Sequence, residues 1–495
     1  MQRQKWEAER IAVAYILTML PQPFTWDRDQ ARAGKFNGRF LIGVLTTGIY
    51  CLPSCTARQP KPENVRLFRT EDEAKAAGLR ACKRCRPDLY YRGEDEDVSL
   101  FEGLAARVRA EPSRFADAAA LASACGVSQT KLGDLFREHA HLAPAAWLRR
   151  ERVRAACGRL LESEERVVDI GYAAGFESES VFHRQFLSLT RMTPGAYRAM
   201  NGAAVFLLQL PPAYRAREIL AYHARDPESP CERVDESRIF KALATPQGPV
   251  ALEVSLESEG AWCRTHGVER MSRDTASFIH TAALRMLGLN NEVTTFEGRM
   301  ARDEKLAPLF ARRRGLRVPA IPTGFDGLCW AIIGQQINVK FAGALRREIL
   351  NLAGERIGEM RTHPTADRVV DIGAARLARR RYSRSKAEYL VGAAREVAAG
   401  RLDIERLPDS SAVSAEKKLT AIRGIGTWTA RYTMLRGGFA DCAPVGDSAL
   451  ATALQRLHVL DDRPGPDEVH ALMQTFAPHR SLATCHLWAS LKDAA

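Results

Sequence analysis

The chain has 495 residues, 46% of them hydrophobic and 26% charged, a balance that excludes a mainly disordered, collagen-like or membrane-spanning protein. At ~150 residues per domain, the length predicts three or four domains. The net charge of +13 favours a polyanionic partner such as nucleic acid or an anionic membrane surface, and eleven cysteines are too sparse for a disulfide scaffold.

The first predicted element is an amphipathic helix over residues 11–20, an apolar stretch behind Arg3, Lys5 and Arg10. Glu7 and Glu9 in the leading segment argue against an export signal, and Pro21-Gln-Pro stands where a small-x-small cleavage site belongs. No apolar run reaches the ~18 residues a membrane span needs, so the expected setting is cytoplasmic.

Next comes Cys51-x3-Cys55, followed after twenty-six residues by Cys82-x2-Cys85. Two close pairs separated by a loop are what tetrahedral Zn²⁺ requires, each pair supplying two adjacent vertices. Cys51, Cys55, Cys82 and Cys85 are therefore the expected metal ligands. The acidic run 93–97 reads as a solvated linker.

From residue 99 to about 200 the pattern is helical. Ser128, Phe136, Pro144 and Trp147 recur as Ser178, Phe186, Pro194 and Tyr197, each fifty residues on. Four matches at one offset indicate a duplicated unit, and each half reads helix, Gly-containing turn, helix. Phe182 and Phe186, four apart, belong to the core face of the second helix. His183 and Arg184 lie toward the other face, where DNA contact and an ordinary surface role are both open. Arg149, Arg150, Arg152 and Arg154 lie between the halves, as a solvated face or as phosphate contacts.

Asn201-Gly-Ala203 is a break. After it, 205–210 and 250–256 read as strands around a helical stretch at 215–225. From about residue 275 the pattern is helical to the end. Its most informative stretch is Gly424-Ile-Gly426-Thr-Trp428-Thr-Ala-Arg-Tyr432, with Asp447 twenty-one residues beyond Gly426 and Trp488 later. A Gly-x-Gly between helices exposes backbone N–H groups that suit a phosphate, although many helix junctions contain it.

The sequence around the cysteines, from Phe36-Asn-Gly-Arg through Cys51-Leu-Pro-Ser-Cys55 to Cys82-Lys-Arg-Cys85-Arg-Pro87, closely resembles the zinc domain of Ada-type adaptive-response proteins. The resemblance implies that Cys51 is both ligand and nucleophile, taking a methyl group from a DNA methylphosphotriester. A metal keeps the thiol deprotonated at neutral pH. Four thiolates on Zn²⁺ carry a charge near −2, and methylating one removes a unit. The lost repulsion is about 0.4 kcal/mol per phosphate at ~10 Å in water. Damage would thus convert the protein into a tighter DNA binder.

The fifty-residue repeat resembles an AraC-type double helix-turn-helix, which implies sequence-specific transcriptional activation with RNA polymerase as a partner. The C-terminal half, with Pro211-Pro, Phe325-Asp, Gln335-Gln336, the Gly-x-Gly hairpin and Asp447, resembles the helix-hairpin-helix DNA glycosylases, and within them the AlkA-type 3-methyladenine DNA glycosylase II. That likeness implies Asp447 as the catalytic carboxylate and Tyr222, Trp428, Tyr432 and Trp488 as the base pocket. It also implies that Gly424, Gly426 and Gln336 contact DNA. Each aromatic has an alternative core reading, and Asp447 an alternative as a helix N-cap before Ser-Ala-Leu. Trp428 occupies the position of the Schiff-base lysine of lyase-type members, so an intact abasic strand is the expected product.

Three departures stand out: Arg423 replaces the usual hairpin Pro, Ser448 replaces an aromatic after the catalytic Asp, and Gln336 stands at an apolar wedge position that Ile337 could fill. No Pro-Cys-His-Arg motif exists, so Cys485 reads as core and direct O6-alkylguanine reversal is not expected.

The expected architecture is multidomain α+β. It comprises an Ada-type zinc methyl-acceptor domain (1–95), an all-α double helix-turn-helix domain (98–200), a mixed α/β subdomain (204–290) and an all-α helix-hairpin-helix glycosylase core (291–495). The expected partner is double-stranded DNA, alkylated or promoter. The competing expectation is a regulator with a structural zinc site and an inactive glycosylase-like module.

Overall fold

The computed structural model describes residues 36–58, 60–93 and 95–494, and the helix expected at 11–20 lies outside them. The chain forms two compact units, Met1–Ser99 and Leu100–Ala495. Among the described residues, no helix is long and apolar enough to cross a membrane.

The first unit is a four-stranded sheet with strand order β3-β1-β2-β4. β1 (Leu41–Val44) pairs antiparallel with β2 (Ile49–Cys51) and with β3 (Val65–Phe68), while β4 (Arg80–Ala81) pairs parallel with β2. Leu41, Tyr50, Leu52, Phe68 and Leu79 close its small core. Gly43 is required there, because a Cβ would stand 2.3 Å from the Phe68 ring. Two short helices, α1 (Glu71–Ala76) and α2 (Pro87–Tyr91), flank the sheet, and the buried Tyr50 hydroxyl donates to Glu71 at 2.7 Å.

In the second unit, α3 (Glu96–Ala110), which crosses from the first, is followed by α4 (Ala118–Cys125), α5 (Gln129–His139) and α6 (Pro144–Glu162). Then come α7 (Val167–Ala173), α8 (Glu179–Thr190) and α9 (Pro194–Ala199). The fifty-residue repeat has a structural cause. Ser128 and Ser178 are N-caps, their hydroxyls accepting from Lys131 N and Val181 N. Pro144 and Pro194 each open a helix, and Phe136, Phe186, Trp147 and Tyr197 are all buried. The two halves do not share one core. The first closes around Phe101, Leu121, Phe136 and Trp147. The second joins Phe182, Phe186, Tyr197 and Met200 to the sheet that follows.

That sheet has five antiparallel strands in the order β5-β9-β8-β7-β6. They are β5 (Val205–Leu208), β6 (Glu232–Asp235), β7 (Arg238–Thr245), β8 (Gly248–Leu256) and β9 (Ala261–His266). Strands were expected at β5 and β8; β6, β7 and β9 were not. α10 (Ala216–His223) lies between β5 and β6, and α11 (Arg273–Met286) follows β9.

Apart from a short antiparallel pair, β10 (Arg356–Ile357) and β11 (Met360–Arg361), the rest is helical: α12 (Thr294–Met300), α13 (Ala307–Ala311), α14 (Gly324–Ile333), α15 (Val339–Ala353), α16 (Ala366–Ile372), α17 (Ala374–Ala378) and α18 (Arg384–Ala398). α19 (Ala412–Thr420), α20 (Thr427–Gly437), α21 (Ser448–His458), α22 (Pro466–Met473) and α23 (Arg480–Ser490) complete it. All ten residues of α14 are buried, as befits a helix that is apolar apart from Asp326 and enclosed by others.

One buried charge cluster ties the sheet to this helical core. Lys241 of β7 donates to Glu232 of β6 at 3.1 Å and lies 3.6 Å from Asp326 of α14. Arg346 of α15 reaches both carboxylates, at 2.8 Å to Asp326 and 3.3 Å to Glu232. Burial alone would raise the Asp326 carboxyl, but Arg346, His363 and Lys241 outweigh it and hold it well below the usual carboxylate range. Two anions thus face two cations. Asp326→Asn leaves the cations in excess, and we expect it to cost about 3–5 kcal/mol in urea unfolding of the full chain. Unchanged unfolding would show that the network adds nothing to stability.

Candidate functional site

The parallel register of β2 and β4 assembles the cysteine cluster. Tyr50 pairs with Ala81, so the next residue of each strand, Cys51 and Cys82, emerges beside the other. Cys82 N donates to Tyr50 O at 2.9 Å, and Leu52 N donates to Cys85 Sγ at 3.3 Å. A turn in which Cys55 N donates to Leu52 O returns Cys55, and all four sulfurs lie within 4.8 Å of one another. Hydrogen bonds that Cys51 donates to Cys55 and Cys85 push its thiol up, while those Cys55 accepts from Cys51 and Cys85 hold Cys55 down. Sulfurs this close compete for one negative charge, and a divalent cation resolves that competition. The donor set fits tetrahedral Zn²⁺. Arg58, Lys83 and Arg84, all exposed, form a basic rim suited to a phosphate. Exposure does not single out Cys51, because Cys55 and Cys85 are more open.

The second site surrounds Asp447. It is the N-cap of α21, with Oδ1 accepting from Leu450 N at 2.9 Å. It also accepts two indole N–H bonds, from Trp488 Nε1 at 3.0 Å and from Trp428 Nε1 at 3.3 Å. Asp447 is thus a helix N-cap that also stands between the two candidate indoles. Trp428 stacks on Tyr432 at 5.3 Å between centroids, and Tyr432 meets Trp488 at 6.1 Å.

Tyr222 is brought to the same cluster through two arginines that were not expected there. The Arg436 guanidinium lies 4.9 Å from the Tyr222 centroid and 5.4 Å from those of Tyr432 and Trp488. Arg225 stands 4.1 Å from Tyr222 and 5.0 Å from Trp330. Burial raises the Tyr432 phenol, but Arg436 and Arg225 outweigh it and lower it. The cluster thus presents guanidinium donors as well as ring faces. Arg436 gave no signal in the sequence, because an arginine in the last turn of a helix ordinarily faces water and the helix dipole.

The DNA-contact candidates near the hairpin form one assembly. Gln335 Nε2 donates to Gly424 O and to Thr429 Oγ1, both at 2.9 Å. Lys386 Nζ holds Ile333 O at 2.7 Å and Gln335 O at 3.0 Å. Gln336 therefore projects from a fixed turn, exposed and with φ +56°, while Ile337 is half-buried. Gly426 precedes α20 with no side-chain cap, which leaves the first N–H groups of that helix available to a phosphate. Gly424 has φ +88°, and a Cβ there would stand 2.1 Å from the Tyr389 ring. Gly424→Ala should therefore cost about 1–2 kcal/mol in backbone strain alone. We expect a lower melting temperature and weaker binding of abasic duplex DNA, and wild-type values of both would refute this role for the glycine.

His183 and Arg184 lie on α8, far along the chain from that hairpin. Arg184 is exposed, and His183 is half-buried with Nε2 3.8 Å from Glu179. Of the four arginines between the halves, Arg152 donates to Phe115 O and Ala116 O, and Arg154 pairs with Asp409. Arg149 and Arg150 remain exposed.

Residues 25–88 match the metal binding domain of Ada, and residues 121–200 match a helix-turn-helix domain. Residues 205–322 match the AlkA N-terminal domain, and residues 329–479 match the HhH-GPD superfamily of base excision DNA repair proteins. A Bacillus subtilis relative named "Bifunctional transcriptional activator/DNA repair enzyme AdaA" is 30% identical over 166 residues, which cover 34% of this chain and 77% of that protein. The chain belongs to the Ada family, with an AlkA-type DNA glycosylase joined behind the regulator. The same fusion runs through a Mycobacterium tuberculosis relative named "Probable bifunctional transcriptional activator/DNA repair enzyme AlkA". It is 27% identical over 497 residues, covering 94% of this chain and 95% of that protein. The glycosylase fold matches a solved 3-methyladenine DNA-glycosylase from Archaeoglobus fulgidus with a TM-score of 0.51 at 23% identity. That match covers 57% of this chain and 97% of that one. In this Ada–AlkA chain the four-cysteine cluster is the zinc site of the Ada portion, and the Asp447 cluster lies in the glycosylase portion.

Proposed function

We propose that the glycosylase portion hydrolyses the N-glycosidic bond of alkylated purines of the 3-methyladenine type in double-stranded DNA, with Asp447 as the catalytic carboxylate. The observation that carries this reading is the convergence of two indole N–H groups on the Asp447 carboxylate, beside stacked rings. Those bonds favour the ionised carboxylate and aim it at one place. An anion there stabilises the positive charge that develops on the sugar as the base leaves. Tyr222, Trp428, Tyr432 and Trp488 receive the flipped base, and Gly424, Gly426 and Gln336 hold the DNA. Arg225 and Arg436 weaken the pull of the rings on a cationic base and add donors for its acceptor edge. Selectivity then rests on hydrogen bonds as well as on charge. The test is release of free 3-methyladenine from methylated duplex DNA with the strand intact until alkali is added. No release would favour a regulator with an inactive glycosylase-like module, and cleavage without alkali would exclude monofunctional hydrolysis.

We also propose that Cys51 takes a methyl group from a DNA methylphosphotriester. The S–CH₃ bond forms as the CH₃–O bond breaks. The electron pair stays on the phosphate oxygen, which regains its charge. Zinc bound by Cys51, Cys55, Cys82 and Cys85 keeps the sulfur a thiolate at neutral pH. In this reading His183 and Arg184 of the second helix-turn-helix unit contact promoter DNA, RNA polymerase is the partner in activation, and the setting is cytoplasmic. The domain limits 1–95, 98–200, 204–290 and 291–495 go with it.

A further inference from the structure

The helix-turn-helix region and the glycosylase core meet along a polar seam. Arg154 of α6 pairs with Asp409 at 2.7 Å, and His139 of α5 shares a 2.7 Å hydrogen bond with Ser411. The third contact differs in where it leads. His141 lies just beyond α5, buried and with φ +57°, and its ring packs edge-on to Phe439 at 6.2 Å. Its Nδ1 accepts from the backbone N–H of Asp441 at 3.2 Å.

Asp441 lies within the loop between α20 and α21, which runs from Gly438 to Asp447. Its carboxylate in turn grips the start of α23: Arg480 N reaches Oδ1 at 3.0 Å, Arg480 Nε reaches Oδ1 at 2.7 Å, and Nη2 reaches Oδ2 at 2.8 Å. Beside it, Cys442 N donates to Ser481 Oγ at 3.0 Å. α23 carries Trp488, whose indole N–H returns to Asp447. The loop holding the carboxylate and the helix holding its indole partner are thus pinned at one junction, and His141 closes that junction from outside. With Asp441 itself buried, nothing in bulk water replaces the His141 acceptor.

We propose that His141, supplied by the regulator half, is a positioning residue for the glycosylase site. It acts through Asp441 on the loop that carries Asp447. The regulator is then a structural part of the repair enzyme, and base release depends on the His141 contact within the seam. This inference rests on the glycosylase reading of Asp447.

The test uses the full chain in three variants. His141→Leu keeps bulk and removes the acceptor. His141→Asn keeps an acceptor atom at the same branch of the side chain and tolerates a positive φ. Asp409→Asn loosens the seam elsewhere. The readouts are single-turnover release of base from methylated duplex DNA and hydrogen exchange of the segment 439–447. For His141→Leu we expect about a tenfold lower maximal rate, because a small misplacement of a reacting group is costly. Half-saturating DNA should be unchanged and exchange faster. His141→Asn and Asp409→Asn should match wild type. Wild-type rate and exchange in His141→Leu would overturn the proposal. So would His141→Asn behaving like His141→Leu, or an equal loss in Asp409→Asn. Exchange needs no turnover, so a wild-type protein that releases no base would sink the glycosylase reading while exchange still decides this one.

Discussion

Asp447→Asn should lower single-turnover release of alkylated purine by roughly 10²–10³-fold or more while leaving the fold intact. The two roles of the side chain make this substitution informative. As N-cap of α21, Asp447 needs only an oxygen to accept from Leu450 N, and Asn caps about as well as Asp. The negative charge is needed only for the chemistry. Asn therefore removes one role and spares the other, whereas Asp447→Ala removes both and should cost an additional ~1 kcal/mol of stability. The indoles sharpen the comparison. Trp488 donates to Oδ1 and Trp428 to Oδ2, so the amide places its NH₂ against the Trp428 N–H and disturbs the weaker of the two bonds. Quench-flow measurement of base release, alongside a thermal melt, checks both halves. Wild-type release by Asp447→Asn would reduce this residue to a helix cap.

The second large effect concerns Cys51. After incubation with methylated DNA, peptide mass mapping of wild-type protein should find one added methyl group on Cys51 and none on Cys55, Cys82 or Cys85. Cys51→Ser should acquire none. Serine is a poor test by itself, because it also removes a metal ligand. Structural zinc sites contribute about 10–16 kcal/mol of binding energy in small domains, so losing a ligand threatens the fold of a unit whose core is only a few side chains. Site mapping in the wild-type protein escapes that ambiguity. Methyl on a different cysteine would overturn the assignment, and methyl on none would leave the cluster as a structural site alone. Exposure would favour Cys55 or Cys85 over the more enclosed Cys51, so the mapping is a real discrimination.

Much of this was legible because local chemistry repeats at fixed spacing. The Cys pairs, the fifty-residue echo of Ser128 and Phe136 in Ser178 and Phe186, and the distance from hairpin to Asp447 are all properties of order along the chain. The sheet was less legible. β7 carries Lys241 in mid-strand, which breaks the apolar alternation by which strands are recognised, and only the carboxylates of Glu232 and Asp326 make that burial tolerable. β9 keeps the alternation, with Arg264 and His266 on its open face, but its inward residues Ala261, Cys263 and Thr265 are small and give a weak apolar signal.

Residue types and their spacing along the chain determined the metal ligands, the duplicated helical unit and the carboxylate beside an aromatic hairpin, since each depends on groups close in sequence or on a family-specific order. Folding decided the rest. It placed Arg225 and Arg436 against the rings, joined the second helix-turn-helix half to the sheet in one core, and set His141 beneath the loop of Asp441. Apart from Arg225 on Tyr222, three positions away, these are contacts between residues tens to hundreds of positions apart, and their energy comes from burial and hydrogen-bond satisfaction, which local sequence pattern does not encode.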